Sequence, residues 1–341
     1  MTNTSTTDVS EVLSWKLALA RHKSPSLRRS LWQLTNTLVP YFALWGLMIW
    51  SLEISYWITL GLTAVAAGFL ARIFIIFHDC AHGSFMSSRP ANRFLEFFTG
   101  VLSFTPYRQW RHKHAIHHRN SGDLDGRGSG DIWILTVEEY MNASRWKRLA
   151  YRLARNPLIL FVIAPLYVFL IQHRIPSRSV GTHHRLGVHL TNGAIAGIVI
   201  LMSLTIGIKA YLLIQLPILL LAGSAGIWLF YVQHQFEGVN WERRRDWDFK
   251  TAALHGSSYY RLPRVLQWFT GNIGFHHVHH LCPSIPNYNL EKVHRETPMC
   301  QQVTLVTLGS SLASLSLKLY DEEQRRLVGF RHLRTMGRRD S

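Results

Sequence analysis

The chain has 341 residues, of which 48% are hydrophobic and only 17% charged, against about 25% charged in an ordinary soluble domain. Its formal net charge of +17 suits either nucleic acid or an anionic membrane face as partner. Apolar runs such as LVPYFALWGLMIW (38–50) are too long for a nucleic-acid module, whose motifs are also missing, so no nucleic-acid partner is expected and the lipid bilayer is. Three cysteines, Cys80, Cys282 and Cys300, show no regular spacing, which points away from a disulfide framework and toward a reducing compartment.

In chain order, residues 1–30 read as a cytosolic N-terminal tail, with a Ser/Thr-rich, disordered stretch at 1–10 and no secretory signal. A membrane-crossing helix needs about 20 predominantly apolar residues. Four segments qualify, at about 31–50, 56–77, 190–208 and 211–233. The turn at 51–55 has no Lys or Arg, and the turn between the last two spans has only Lys209. Lys16, Arg21, Lys23, Arg28 and Arg29 precede the first span, and the middle and C-terminal regions are equally basic. Positive charge marks the cytosolic side, so both turns face outward and both termini inward. Arg72 is expected to snorkel from the inner end of the second span. The run at 157–172 is shorter, carries Pro165, and reads as interfacial or re-entrant. The fold class predicted is an all-α integral membrane protein, with four transmembrane helices in two hairpins under a cytosolic helical cap. Residues 31–305 form its one domain, and 306–341 a basic cytosolic C-terminal tail.

Nineteen histidines are unevenly distributed. HDCAH places His78 and His82 at i and i+4 after the second span, on one face of a continuing helix. HKHAIHH places His114, His117 and His118 at i, i+3 and i+4, and HHVHH repeats that spacing with His276, His279 and His280. His112 and His277 break the shared register and are left out. A single such box marks a packed or surface histidine pair as readily as a ligand pair. Three boxes on one membrane side mark a divided metal site. One ion takes about four to six donors, so eight or nine imidazoles imply two ions. An all-histidine set suits iron better than a closed zinc site. Asp79, the one acid within the boxes, is placed to orient a ligand histidine from outside the coordination sphere. His234, at the inner end of the fourth span, lies at the same level as His78 and reads either as a further ligand or as an interface marker.

These boxes and their flanks resemble the membrane fatty acid desaturases, in particular the bacterial acyl-lipid branch. The stretches that carry the resemblance are HDCAHGSF, HKHAIHHRNSGDLDGRGSGDIWILTVEEY, YVQHQFE and AALHGSSYYRLPRVLQWFTGNIGFHHVHHLCPSIPNYNL, spread over about 35–300. The resemblance implies four spans, an inner-membrane location with a cytosolic active site, and two iron ions held by histidines. It also implies O2-dependent introduction of a cis double bond into an acyl chain, most naturally that of a membrane glycerolipid. The family has a histidine matching His234, which makes it the ninth ligand. Animal acyl-CoA members carry an Asn where this chain has Phe230, so that detail does not transfer. No haem, flavin or nicotinamide motif is present, so electrons are expected from a separate ferredoxin or flavodoxin. Arg243–Arg245 and the Arg-rich stretch 325–339 are candidate docking charges, the alternative, favoured for the tail, being attraction to anionic lipid headgroups. A hydroxylase or ketolase on an alkane, sterol or carotenoid would use the same ligands. A non-catalytic metal transporter would need ionisable groups at the bilayer midplane, and the spans offer only Arg72 near one end.

Overall fold

The structure, a computed structural model, describes residues 15–128, 130–178 and 180–336. The Ser/Thr-rich stretch 1–10 and the last arginines of the basic tail lie outside the described residues. Helix α1 (Leu27–Ser51) starts at a Ser26 cap, and four residues join it to α2 (Tyr56–His82). The junction buries Ser51 and Thr59, whose hydroxyls satisfy each other at 2.8 Å. Tyr41 and Met48 of α1 pack on Ala66, Ala67, Leu70 and Ile73 of α2, where the two alanines let the helices come close. Helix α2 does not stop where its apolar run stops. It continues through His82 and closes at Gly83, whose φ of 70° only glycine adopts freely, with Ser84 N–H returning to the Asp79 carbonyl. The first two histidines therefore sit on its last turn and a half.

Two shorter helices follow, α3 (Arg89–Leu102) and α4 (Tyr107–Asn120), the latter carrying the second box. Arg145–Ala154 and Ile159–Arg174 then form a pair bent by 62°, containing one wide helical turn at Ile159–Ile163 just before Pro165. Next come α5 (Thr182–Thr205) and α6 (Ile208–His234), and α6 adds Ile214, Ile218, Leu219 and Ala222 to the α1–α2 core. Among the described residues, α2, α5 and α6 are long and apolar enough to cross a membrane, and the bent pair joins them if counted as one span. Helix α1 has the length, but with Gln33, Thr35, Asn36 and Thr37 in its first half it does not reach the same apolarity. Three such helices therefore stand where the sequence suggested four. Arg72 does not snorkel to water either: it is buried, hydrogen-bonds Thr37 Oγ1 at 3.0 Å and stacks on Trp268 at 4.0 Å.

After α6 come α7 (Phe249–His255) and α8 (His276–Leu281), which carries the third box. The fold is not strictly all-α. Strand β1 (Tyr259–Arg261) pairs in parallel with β2 (Leu305–Thr307), and β3 (Leu319–Asp321) pairs antiparallel with β4 (Arg326–Val328). Nor are the ends plain tails. Residues 15–20 are helical, and Leu19 is buried against Phe275, Val278 and Leu281 beside the third box. Beyond residue 305, Val306, Tyr320 and Leu327 join Tyr231, Val232, Phe236 and Trp241 in a core under the end of α6. A few apolar side chains in a basic stretch are enough to dock it when each fills a place in an existing core.

Tyr320 is the anchor of that docking, 1% exposed and donating its hydroxyl to the Trp241 carbonyl at 2.9 Å. Tyr320→Ala is expected to cost about 3–5 kcal/mol, seen as a lower melting temperature of the purified protein. Exposed Arg326→Ala is expected to stay within about 0.5 kcal/mol of the parent.

Candidate metal centre

The helical registers bring the boxes to one place. On α2, His78 and His82 lie ring to ring at 4.7 Å, on α4 His114 and His118 at 4.6 Å, and on α8 His276 and His280 at 4.5 Å. These three short stacks converge with the end of α6. The nine histidines singled out from the sequence fall into two groups, in each of which one nitrogen per ring lies within 4.8 Å of all the others. The first group is His78, His82, His114, His118 and His279, and the second is His117, His234, His276 and His280. Both groups draw on α4 and α8, so neither group is complete without parts of the chain far apart in sequence. His112 and His277 belong to neither group. His112 stacks on His184 at 4.7 Å, and His277 Nε2 meets His294 Nδ1 at 3.1 Å.

The nitrogens meet in a way that ordinary hydrogen bonding does not explain. His118 Nε2 is 3.1 Å from His114 Nε2 and 2.9 Å from His279 Nε2. His276 Nε2 is 2.9 Å from His234 Nε2 and 3.1 Å from His280 Nε2. Tautomers follow from the opposite ring edges. His234 Nδ1 faces the Gly256 carbonyl at 3.1 Å and must donate to it, since a carbonyl only accepts. His117 Nδ1 likewise donates to Asp131 Oδ1 at 2.5 Å, and His78 Nδ1 to Asp79 Oδ1 at 3.2 Å. Each of these rings, when neutral, presents a bare Nε2 inward. Burial holds the imidazoles of His114, His118, His276, His279 and His280 well below the usual histidine range, and the neighbouring rings lower them further. Nε2 of His82 and of His117 is buried without any hydrogen-bond partner among the described residues. Adjacent donors on an ion at about 2.1 Å are about 3.0 Å apart at right angles, which matches the separations seen. The residues present therefore fit metal ions, and they fit poorly as a hydrogen-bonded core.

Outside the rings, Asp79 does two things. Besides facing His78, its Oδ2 accepts from Asn287 N and Nδ2 at 2.7 and 2.9 Å, tying α2 to the chain that follows the third box. Asp131 and the Gly256 carbonyl, which orient His117 and His234, were missed by the sequence reading. Asp131 lies in the Asp/Gly-rich loop after the second box, where no periodicity marks it. Phe230 packs 5.1 Å from both His117 and His234, one turn before the latter. The cationic stretch Arg243–Arg245 is already matched by acids. Arg243 pairs with Glu322 and Asp125, Arg244 with Asp123, and Arg245 with Asp246.

A cavity of about 850 Å³ opens onto this centre. Leu70, Phe74, Leu219, Ile227 and Phe230 contribute to its apolar walls, and His78, His114 and His276 to its inner end, so it reaches both groups. Gly226 lies on the wall, and a Cβ there would meet nothing within 4 Å.

A family model described as "Fatty acid desaturase" matches residues 54–306, which include all nine histidines. A fatty acid desaturase of Bacillus subtilis is 50% identical over 93% of this chain and 90% of its own length. An sn-1 acyl-lipid omega-3 desaturase (ferredoxin) of Synechocystis is 28% identical over 64% of this chain and 62% of its own. An sn-1 oleoyl-lipid 12-desaturase of the same genus is 25% identical over 70% and 68%. Histidine spacing, the paired clusters and the apolar cavity agree with these matches, and the chain belongs to the fatty acid desaturase family.

Proposed function

We propose that this oxidoreductase desaturates the acyl chain of a membrane glycerolipid, using two iron ions and electrons from a separate ferredoxin- or flavodoxin-type donor. The cavity carries the reading: an apolar passage ending on histidines of both groups lets a hydrocarbon chain lie beside the metals. His78, His82, His114, His118 and His279 would hold one ion, and His117, His234, His276 and His280 the other. When bound, the pair supplies the reduction of O2 and the removal of hydrogen from an unactivated methylene. In balance, one O2, two hydrogens of the chain, two donor electrons and two protons give one cis double bond and two waters.

The protein's own residues supply orientation and dryness. Asp131 and Gly256 fix ring tautomers, which is how outer partners commonly tune a metal site. Trp110, stacked on His114 at 4.3 Å, and Phe230 add aromatic wall at the reacting end of the cavity. The glycerolipid and the ferredoxin are supported by what the cyanobacterial relatives are named for. In the membrane, α1, α2, α5 and α6 cross as two pairs, the bent pair enters without crossing, and the metal centre faces the cytosol of the bacterial inner membrane. The cation-free turn at 52–55 supports that orientation.

Purified protein loaded with iron is expected to hold about two ions per chain, in keeping with its two donor groups. His234→Ala is expected to abolish product and lower iron content while the protein stays in the membrane, whereas His184→Ala does neither. A hydroxylated or ketonic product from the parent enzyme would move the assignment to the oxygen-inserting reactions. Gly226→Leu is expected to keep full iron and lose activity on long acyl chains, because a side chain there occupies the cavity and disturbs nothing else. The three native cysteines are buried, so labelling reports on added ones. An impermeant thiol reagent outside intact cells is expected to modify Ser55→Cys and to spare Glu237→Cys, and the reverse pattern would invert the orientation.

A further inference from the structure

A second cavity, of about 600 Å³, lies on the other side of α2 from the acyl passage. Four arginines, Arg29, Arg72, Arg264 and Arg295, line it together with a single carboxylate, Glu291. Glu291 is already engaged, by Arg295 as an ion pair and by Gln267 Nε2 at 3.1 Å. Among the described residues Arg29 and Arg72 find only neutral acceptors, and Arg264 has no carboxylate partner. Arg29 bonds Asn289 Oδ1 at 2.7 Å and the Tyr288 carbonyl at 2.6 Å, and Arg72 bonds Thr37 and the Trp268 carbonyl. Gln33, only 4% exposed, also lines the cavity, and its Nε2 donor has no partner among the described residues. Cations without counter-charge and a buried donor without an acceptor share one need, an anionic group with several oxygens.

The rim says where that group comes from. Trp32, 67% exposed, and Trp268, whose ring lies beside Arg72, line the cavity, and Leu31 and Val265, next in the chain to the lining residues Trp32 and Arg264, are 49% and 67% exposed. Aromatic and aliphatic side chains around a cationic pocket are the pattern of the membrane interface. The helix Arg264–Phe269 packs against α2, close enough that a Cβ on Gly68 would meet the Phe269 ring at 3.0 Å. A free anion would use the arginines and leave this rim idle, whereas a lipid uses both.

We propose that this cavity binds the phosphate of an anionic glycerophospholipid from the surrounding leaflet, at a site separate from the acyl passage. Arg29, Arg264 and Gln33 donate to the phosphate oxygens, and the acyl chains run over Trp32 and Val265. Asn287 forms part of the cavity wall and also holds Asp79, so the bound headgroup lies one side chain from a residue that faces His78.

The test uses the full chain in detergent, titrated with short-chain phosphatidylglycerol, short-chain phosphatidylcholine or inorganic phosphate, with bound lipid counted by native mass spectrometry. Because binding is the readout, the result stands apart from whether the enzyme desaturates glycerolipids. Phosphatidylglycerol is expected to bind about tenfold more tightly than phosphatidylcholine, and Arg264→Glu and Gln33→Leu each to remove about tenfold, the size of one charge-assisted hydrogen bond. Arg326→Glu makes the same charge change away from the cavity and is expected to bind as the parent does. Equal binding of the two lipids, unchanged binding by Arg264→Glu, or equal loss in Arg326→Glu would each overturn the site. Inorganic phosphate binding as tightly as phosphatidylglycerol would overturn the lipid and leave a simple anion pocket.

Discussion

Everything in this molecule is arranged around bare imidazole nitrogens pointing at one another. Nitrogen lone pairs about 3 Å apart in a dry interior repel, and each buried polar atom without a partner costs about 1–3 kcal/mol. Such a core makes sense only if something positive sits between the rings. The outer contacts show that the arrangement is imposed from behind. Gly256, Asp131 and Asp79 each accept a hydrogen bond from Nδ1–H on the far edge of a ring and so keep the near edge free. The cost of assembling the rings is borne by the helices that carry them, and binding of metal returns free energy to the fold.

The membrane helices then have a second duty beyond spanning. Helix α2 presents one face to the acyl passage through Ala71, Phe74 and Ile75 and another to the polar cavity through Arg72, and it ends in two histidines. Helix α6 combines wall residues with small ones at 222, 223 and 226, and it too ends in a histidine. Each helix therefore measures distance along the bilayer normal from a fixed chemical point. At 1.5 Å per residue, Gly226 is about 12 Å from His234 along its axis. That ruler is what makes a specific position on a featureless hydrocarbon addressable.

How much of this could be read from the sequence depended on whether the signal was local. The i, i+3, i+4 spacings are properties of one helix, so the three boxes and the shared level of His78 and His234 were visible without a structure. The division of nine rings into five and four was not, because His117 and His118, neighbours in sequence, point into different groups. Asp131 was invisible for a related reason: a loop residue has no period to betray it. The ends of the chain are hard to read because Leu19 and Tyr320 lie in short apolar runs bounded by charges, Lys16 to Arg21 and Lys318 to Asp321, and three-residue strands are too short for alternation to show. Arg72 was read as reaching water when Thr37 and Trp268, one on a different helix and one nearly 200 residues on, offer it a buried seat.

The bond between Asp79 and Asn287 joins residues 208 positions apart. During synthesis, α2 with its two histidines enters the membrane long before α8 exists, and it must wait while α5 and α6 insert. Neither donor group can close until His279 or His280 has left the ribosome, so assembly of the histidine clusters comes late in biogenesis. A nascent chain stalled earlier exposes clustered imidazoles without a finished site, open to whatever divalent ion is abundant. Late closure therefore acts as a quality gate: only a chain translated past its third histidine box, with every helix in place, brings all nine histidines together.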